Sequence, residues 1–204
     1  GILSDADIVS LVNKVIAHGG LISHKHNADG TQSPYEMNIN YFDALSSPSG
    51  DEPMELQVKR FIAAQAIMLS IIGVPGIYVH SLFGSRGWTE GVQQTGRNRT
   101  INREKLQFDE LQNQLADTNS LRSKVFSKCS ELLRARSISP AFDPHGTQVI
   151  HDLHPAVFAV ERISPDAQSR MLCMHNVSSR TVSFSVNEKQ ISLEPYQVLW
   201  LKTT

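Results

Sequence analysis

An excess of charge of either sign is absent. Nineteen Lys and Arg against 20 Asp and Glu leave this 204-residue chain at a formal net charge of −1, with a pI near 6.8. Proteins that hold nucleic acid or anionic membrane through general electrostatics carry a basic surplus, so neither partner is expected. Cysteine is scarce too. Cys129 and Cys173 are the only two, with no metal-type spacing between them. They read as reduced thiols of a cytoplasmic protein rather than as a disulfide framework. No residue between Phe61 and Ser85 is charged, yet Gly73-Val74-Pro75-Gly76 cuts that stretch and leaves an apolar helix too short to cross a bilayer. No signal peptide is visible. The chain opens on Gly1 rather than Met, which reads as a fragment or a processed piece.

What is present is enough apolar residue, 40% of the chain, to bury a core in one or two domains. Ser4 is a suitable N-cap, with Asp7 completing a capping box. Ile8, Leu11, Val12, Val15 and Ile16 then fall on one helical face before Gly19 and Gly20. Asp5 and Asp7 suit the helix dipole better than catalysis. Leu21–Lys25 suits a short strand. In the strand 35–41, Tyr35, Met37, Ile39 and Tyr41 alternate with Glu36, Asn38 and Asn40. That polar row fits a sugar-facing wall or an edge strand in water. Met54–Ile72 predicts a long helix, as do Glu104–Ala116 and Ser120–Arg136. From Gly146 onward six short runs split by turn residues predict a small antiparallel β domain.

The organising stretch runs from Gly73 to Glu104. Ile77–Leu82 has the continuous apolar character of a buried strand, and it feeds a long Gly-rich loop carrying Arg86, Arg97, Arg99 and Arg103. A buried strand followed by a cationic loop and a helix is how a barrel enzyme builds part of its active-site rim, here suited to one small anion. A solvated loop whose arginines pair with nearby acids fits the same composition. His24 and His26, and likewise His151 and His154, lack a second ligand cluster, so no metal is expected.

Five stretches taken together carry a family resemblance: P-Y-E-M-N-I-N-Y-F-D-A-L (34–45), G-V-P-G-I-Y-V-H-S-L-F-G-S (73–85), G-R-N-R-T-I-N-R-E-K-L (96–106), H-P-A-V-F-A-V (154–160) and L-E-P-Y-Q-V-L-W-L (193–201). In content and order they resemble the sucrose phosphorylase-like branch of the α-amylase superfamily. The resemblance implies an α/β fold: the C-terminal part of a (β/α)8 barrel with a small inserted domain, followed by an antiparallel β-sandwich domain. Residues 1–52 would be the insert after the seventh strand, 53–145 the last part of the barrel and 146–204 the β domain. The family implies retaining glucosyl transfer to phosphate by an Asp nucleophile, a Glu acid/base and a third, stabilising Asp. All three would lie upstream of Gly1, so the chain holds no catalytic residue and alone is expected to be inactive. The partners implied are a disaccharide, inorganic phosphate and the missing N-terminal part of the barrel. A homodimer is compatible, and no cofactor is implied.

The family's sugar-binding arginine falls on Arg99, or on Arg97 if the register slips by two. Its phosphate-holding loop tyrosine falls on Tyr35. Sucrose phosphorylases resemble L-D-L-Y-Q where this chain has Gln32-Ser33-Pro34-Tyr35-Glu36. Ser33 and Glu36 therefore replace the fructose-touching Asp and Gln. Glucose and phosphate recognition survive that comparison and fructose recognition does not, which points instead to glycerate, glycerol or a phosphorylated fructose as acceptor. Glu36 beside an anionic acceptor is unfavourable unless an arginine intervenes. A hydrolase or transglucosylase of the same superfamily, or a non-catalytic carbohydrate-binding fragment, are the alternatives.

Overall fold

The computed structural model describes residues 2–203. In chain order the elements begin with α1 (Asp5–Ala17), β1 (Leu21–His26), β2 (Gln32–Asn38) and α2 (Tyr41–Leu45). Next come α3 (Met54–Ser70), α4 (Val79–Leu82) and α5 (Thr89–Thr95), a short 3-10 helix (Asn98–Asn102), α6 (Phe108–Ala116) and α7 (Leu121–Ile138). After a second 3-10 turn (Pro140–Phe142) come β3 (Thr147–His154), β4 (Val157–Ile163), β5 (Arg170–Asn176), β6 (Val182–Val186), β7 (Lys189–Leu193) and β8 (Val198–Thr203). They form two compact units, Gly1–Glu52 with Tyr78–Ser123, and Pro53–Ile77 with Lys124–Thr204.

In the first unit, α1 begins as the sequence demands. Ser4 Oγ accepts from the Asp7 backbone N–H at 3.2 Å, and the Ser4 N–H donates to Asp7 Oδ2 at 3.0 Å, a complete capping box. β1 and β2 form an antiparallel hairpin with a shift in register: Ser23 pairs with Glu36, His24 with Pro34, and Tyr35 is the extra residue. Proline has no N–H to give the ladder, which is why a bulge forms here.

The expected buried strand at 77–82 is not one. Val79–Leu82 is a single helical turn, and Tyr78 and Val79 are about half exposed. A parallel barrel strand needs paired neighbours on both edges, and every sheet among the described residues is antiparallel and pairs other segments. Part of the loop expected after it is the helix α5.

The second unit matches the expected β pattern closely. Strands β3-β4-β5-β8 make a four-stranded antiparallel sheet, and β6 pairs with β7. One face of the larger sheet packs against that hairpin through Ala159, Leu172, Met174, Phe184 and Leu193. The other face buries Val160 and Cys173 with Phe142 and is also touched by α3. In the first unit, Ser120 Oγ accepts from the Ser123 N–H at 3.0 Å at the start of α7.

Two kinds of buried group, an imidazole and the thiols, respond to this packing in opposite chemical senses. His175 is fully buried, its Nδ1 bonded to the Phe158 carbonyl at 3.1 Å while Trp200 Nε1 donates to its Nε2 at 3.2 Å. Those partners fix the neutral ring with its proton on Nδ1. Burial is the first cause of a pKa pushed down to about 4 from 6.5. A depressed pKa stabilises the folded state in full above 6.5, and that contribution disappears as pH falls toward 4. The loss expected is about 3 kcal/mol, read as denaturant midpoints from pH 7 to pH 4. In the His175→Asn variant that segment of the pH dependence should flatten. Burial likewise pushes Cys129 up to about 11 and Cys173 up to about 12. Neither thiol should react with a disulfide reagent at pH 8 until the protein is unfolded, whereupon two equivalents should react.

Candidate functional site

The candidate residues gather on the β1–β2 hairpin and the 3-10 helix at 98–102, all within the first unit. Helix α5 ends at Gly96, whose left-handed backbone (φ 65°, ψ 16°) suits glycine and turns the chain out of the helix. The 3-10 helix that follows is anchored from several sides. Asn98 Nδ2 donates to the Ile22 carbonyl at 3.3 Å, Trp88 N–H to the Ile101 carbonyl at 2.7 Å, and the Ile101 side chain is buried. Arg99 is thereby presented toward β2.

Arg99 Nε donates to Glu36 Oε2 at 2.7 Å. The pair is accessible, with side-chain exposures of 52% and 34%. The Glu36 hydrogen bond and then its charge hold the Arg99 pKa above the ordinary value, and Tyr35 contributes in the same direction. Among the described residues the two terminal NH2 groups of Arg99 have no partner, so the guanidinium is oriented through Nε and keeps its fork for another acceptor. Tyr35, 65% exposed, is the bulged residue, and a bulge re-aims the side chain it carries. Ser33 differs: its hydroxyl donates to Asn27 Oδ1 at 3.2 Å within the hairpin. The structure thus brings Arg99, Glu36 and Tyr35 together and turns Ser33 to a local bond. Arg97 is exposed, and its side chain has no partner among the described residues.

The strand expected over 35–41 is shorter, since β2 ends at Asn38 and Tyr41 opens α2. Asn38 and Asn40 are 2% and 4% exposed, whereas Met37 and Tyr41 stand out at 48% and 45%. The buried amides bond within the fold: Asn38 Nδ2 donates to Ser23 Oγ at 2.9 Å and to the Glu36 carbonyl at 3.2 Å, and Asn40 Nδ2 donates to the Arg86 carbonyl at 2.5 Å. Neither amide forms a sugar wall.

Arg86, one of the loop cations, is also committed. Its guanidinium donates to Asp43 Oδ1 at 2.7 Å and lies over the Phe42 ring at 4.9 Å, while the Gly87 N–H donates to Asp43 Oδ2 at 2.6 Å. A Cβ on Gly87 would meet the Ile101 side chain at 3.2 Å, a tight contact that Ile101 would have to relieve. Asp43 is 3% exposed, and burial raises its pKa despite the lowering by Gly87 and Arg86. A second polar knot joins His80 Nδ1 and Ser85 Oγ (3.0 Å), Ser85 and Arg122 (2.7 Å), and Arg122 and Glu104 (3.3 Å). Burial holds the His80 pKa below its usual value. Neither knot was anticipated from sequence; a lone acid, Asp43, in an otherwise uncharged run was the available signal. Among the described residues no three His, Cys, Asp or Glu side chains are placed to hold a metal ion.

No family model matches the chain. Glucosylglycerate phosphorylase of Spirochaeta thermophila is 49% identical over 178 residues, covering 87% of this chain and 30% of that protein. Glucosylglycerate phosphorylase of Allomeiothermus silvanus is 38% identical over 209 residues, covering 98% of this chain and 37% of that protein. Among solved structures, sucrose 6F-phosphate phosphorylase of Thermoanaerobacter thermosaccharolyticum superposes with a TM-score of 0.70 at 19% identity, covering 95% of this chain and 37% of that one. The chain therefore spans 30% to 37% of the length of these relatives.

Replacing Asp43 by Ala leaves Arg86 and the Gly87 N–H without their buried acceptor. The expected loss is about 3 kcal/mol of stability, measured by denaturant unfolding. Glu36→Gln should leave the midpoint within error, because exposed pairs contribute little.

Proposed function

Because the chain is homologous along most of its length to phosphorylases of the sucrose phosphorylase-like branch of the α-amylase superfamily, matching their C-terminal portion, we propose that it is the C-terminal portion of a retaining glucoside phosphorylase acting on glucosylglycerate. The observation that carries this reading is 49% identity to a glucosylglycerate phosphorylase over 87% of the chain. The accessible Arg99–Glu36 pair supports the acceptor assignment. An unneutralised Glu36 would repel the carboxylate of glycerate, and Arg99, bound to it at 2.7 Å, removes that obstacle.

In this reading a carboxylate elsewhere in the complete polypeptide attacks the anomeric carbon of glucosylglycerate while an acid protonates the departing glycerate. Phosphate then attacks the covalent glucosyl intermediate, forming glucose 1-phosphate and freeing the nucleophile. This chain contributes recognition. Arg99 donates to glucosyl hydroxyls, with its plane fixed by Glu36. Tyr35, on the hairpin bulge, holds the incoming phosphate. Ser33 occupies a position where fructose-using relatives carry an Asp, and its bond to Asn27 takes it out of acceptor recognition. Residues 1–52 would form the insert after the seventh barrel strand, 53–145 the last part of the barrel and 146–204 the β domain. No helix among the described residues is long and apolar enough to cross a membrane, and two free, buried thiols suit the cytoplasm.

The test uses a polypeptide of the relatives' full length carrying this chain, supplied with glucosylglycerate and inorganic phosphate. Glucose 1-phosphate and glycerate should form together, and glucose should not accumulate. Phosphate-independent release of glucose would replace this reading with a hydrolase. Arg99→Ala should lower kcat/KM by about 10- to 100-fold, the worth of a hydrogen bond from a charged donor. An unchanged rate in that variant rejects the assignment. The 204-residue chain by itself should yield no glucose 1-phosphate.

A further inference from the structure

Helices α3 and α7 of the second unit are joined at both ends and parted between them. At their N-terminal ends Lys124 Nζ binds Glu55 Oε1 at 2.7 Å. At their C-terminal ends Arg136 donates to the Leu69 carbonyl and, at 2.7 Å, to the Gly73 carbonyl. These contacts bracket the middle of the helix pair. There a cavity of about 580 Å³ opens, walled by Val58 and Ile62 of α3 and by Leu132 and Ala135 of α7. Tyr196, Val198 and Trp200 also line it. This volume lies in the range of small-molecule sites.

The lining is specific in two respects. Both aromatic rings are held in place. Tyr196 sits on a left-handed backbone (φ 54°) with the Arg60 guanidinium 4.9 Å over its ring, and Trp200 is tied through Nε1 to His175. Left-handed backbone at a tyrosine is strained and persists only where its surroundings enforce it. The charged lining, in turn, is largely neutralised from within: Lys59 pairs with Glu194 at 3.4 Å, Lys128 with Glu131 at 3.0 Å, and Glu55 with Lys124. An anion would meet no unpaired cation there, whereas a neutral ligand would find hydrogen-bonding groups around an apolar, aromatic interior. A pyranose ring has that duality, with a C–H face for an aromatic ring and hydroxyls for the rim.

We propose that the cavity between α3, α7 and β8 is a binding site for an uncharged pyranoside, built wholly from residues of the second unit and separate from the Arg99 group. The test is titration of the 204-residue chain with methyl α-glucoside, followed by calorimetry and by ligand-observed NMR. Glycerate and cyclohexanol serve as anionic and apolar comparators.

Millimolar binding of the glucoside is expected, with at least tenfold weaker binding of either comparator. Tyr196→Gly keeps the left-handed backbone and removes the ring, and Leu132→Trp fills the space. Each should weaken binding at least tenfold, with an unchanged circular dichroism spectrum. Arg99→Ala should leave it unaltered. Absence of glucoside binding, equal binding of cyclohexanol, or binding indifferent to both cavity variants would overturn the proposal. So would binding lost in Arg99→Ala, which would assign it to the other group.

Discussion

The second unit is knotted at one buried guanidinium. Arg162 is fully buried and donates to the Ile71 carbonyl at 3.0 Å, the Asp143 carbonyl at 3.0 Å and, at longer range, the Ser70 and Thr147 carbonyls. It thereby ties together the end of α3, the 3-10 turn and β3. Arg136 reaches neighbouring carbonyls at the same helix end, and Phe142 lies within 5.2 Å and 5.8 Å of the two guanidinium carbons. Burying charge is costly, and the cost shows as lowered arginine pKa values whose first cause is desolvation. The carbonyls at the C-terminus of α3 carry the negative end of the helix dipole, so each bond offsets part of that cost. Removing Arg162 would take away the donor that joins carbonyls of three different segments, which is why the packing of β3, β4 and α3 depends on it.

The first unit uses the same chemistry with the signs exchanged. A buried carboxylate, Asp43, collects the Arg86 guanidinium and the Gly87 N–H and so fixes the start of the loop that carries Arg99. Exposure then separates two kinds of arginine. Arg86, Arg122, Arg136 and Arg162 use their terminal nitrogens on partners within the fold. Arg99 engages only Nε, stays half exposed and keeps its fork unoccupied among the described residues. An arginine oriented by a carboxylate and left with spare donors is poised for recognition rather than for holding the fold.

Much of this was legible in the sequence, for physical reasons that differ by element. The six C-terminal strands were readable because alternating apolar residues between turn residues leave few other solutions. The capping box at Ser4 and the cap at Ser120 follow from local chemistry alone. The segment 77–82 was misread because apolar runs of that length do not distinguish strand from helix, and the deciding factor is whether partners stand on both sides. For Asn38 and Asn40 a sugar-facing wall and an edge strand in water stood open, and neither fits, since both amides are buried on partners distant in sequence, Ser23 Oγ and the Arg86 carbonyl. The Arg99–Glu36 contact joins residues 63 apart. Sequence reasoning named both members through family resemblance, and only the fold could pair them.

The central claim is that Glu36 acts through Arg99: the carboxylate orients the guanidinium, and the guanidinium meets the substrate. A double-mutant cycle tests this most directly, with kcat/KM for glucosylglycerate phosphorolysis measured for the full-length protein, Glu36→Gln, Arg99→Ala and the double variant. If the account is right, Glu36→Gln costs activity in the presence of Arg99 and nothing further in its absence, so the two effects are not additive. Additive losses would show that the residues act separately and would contradict it.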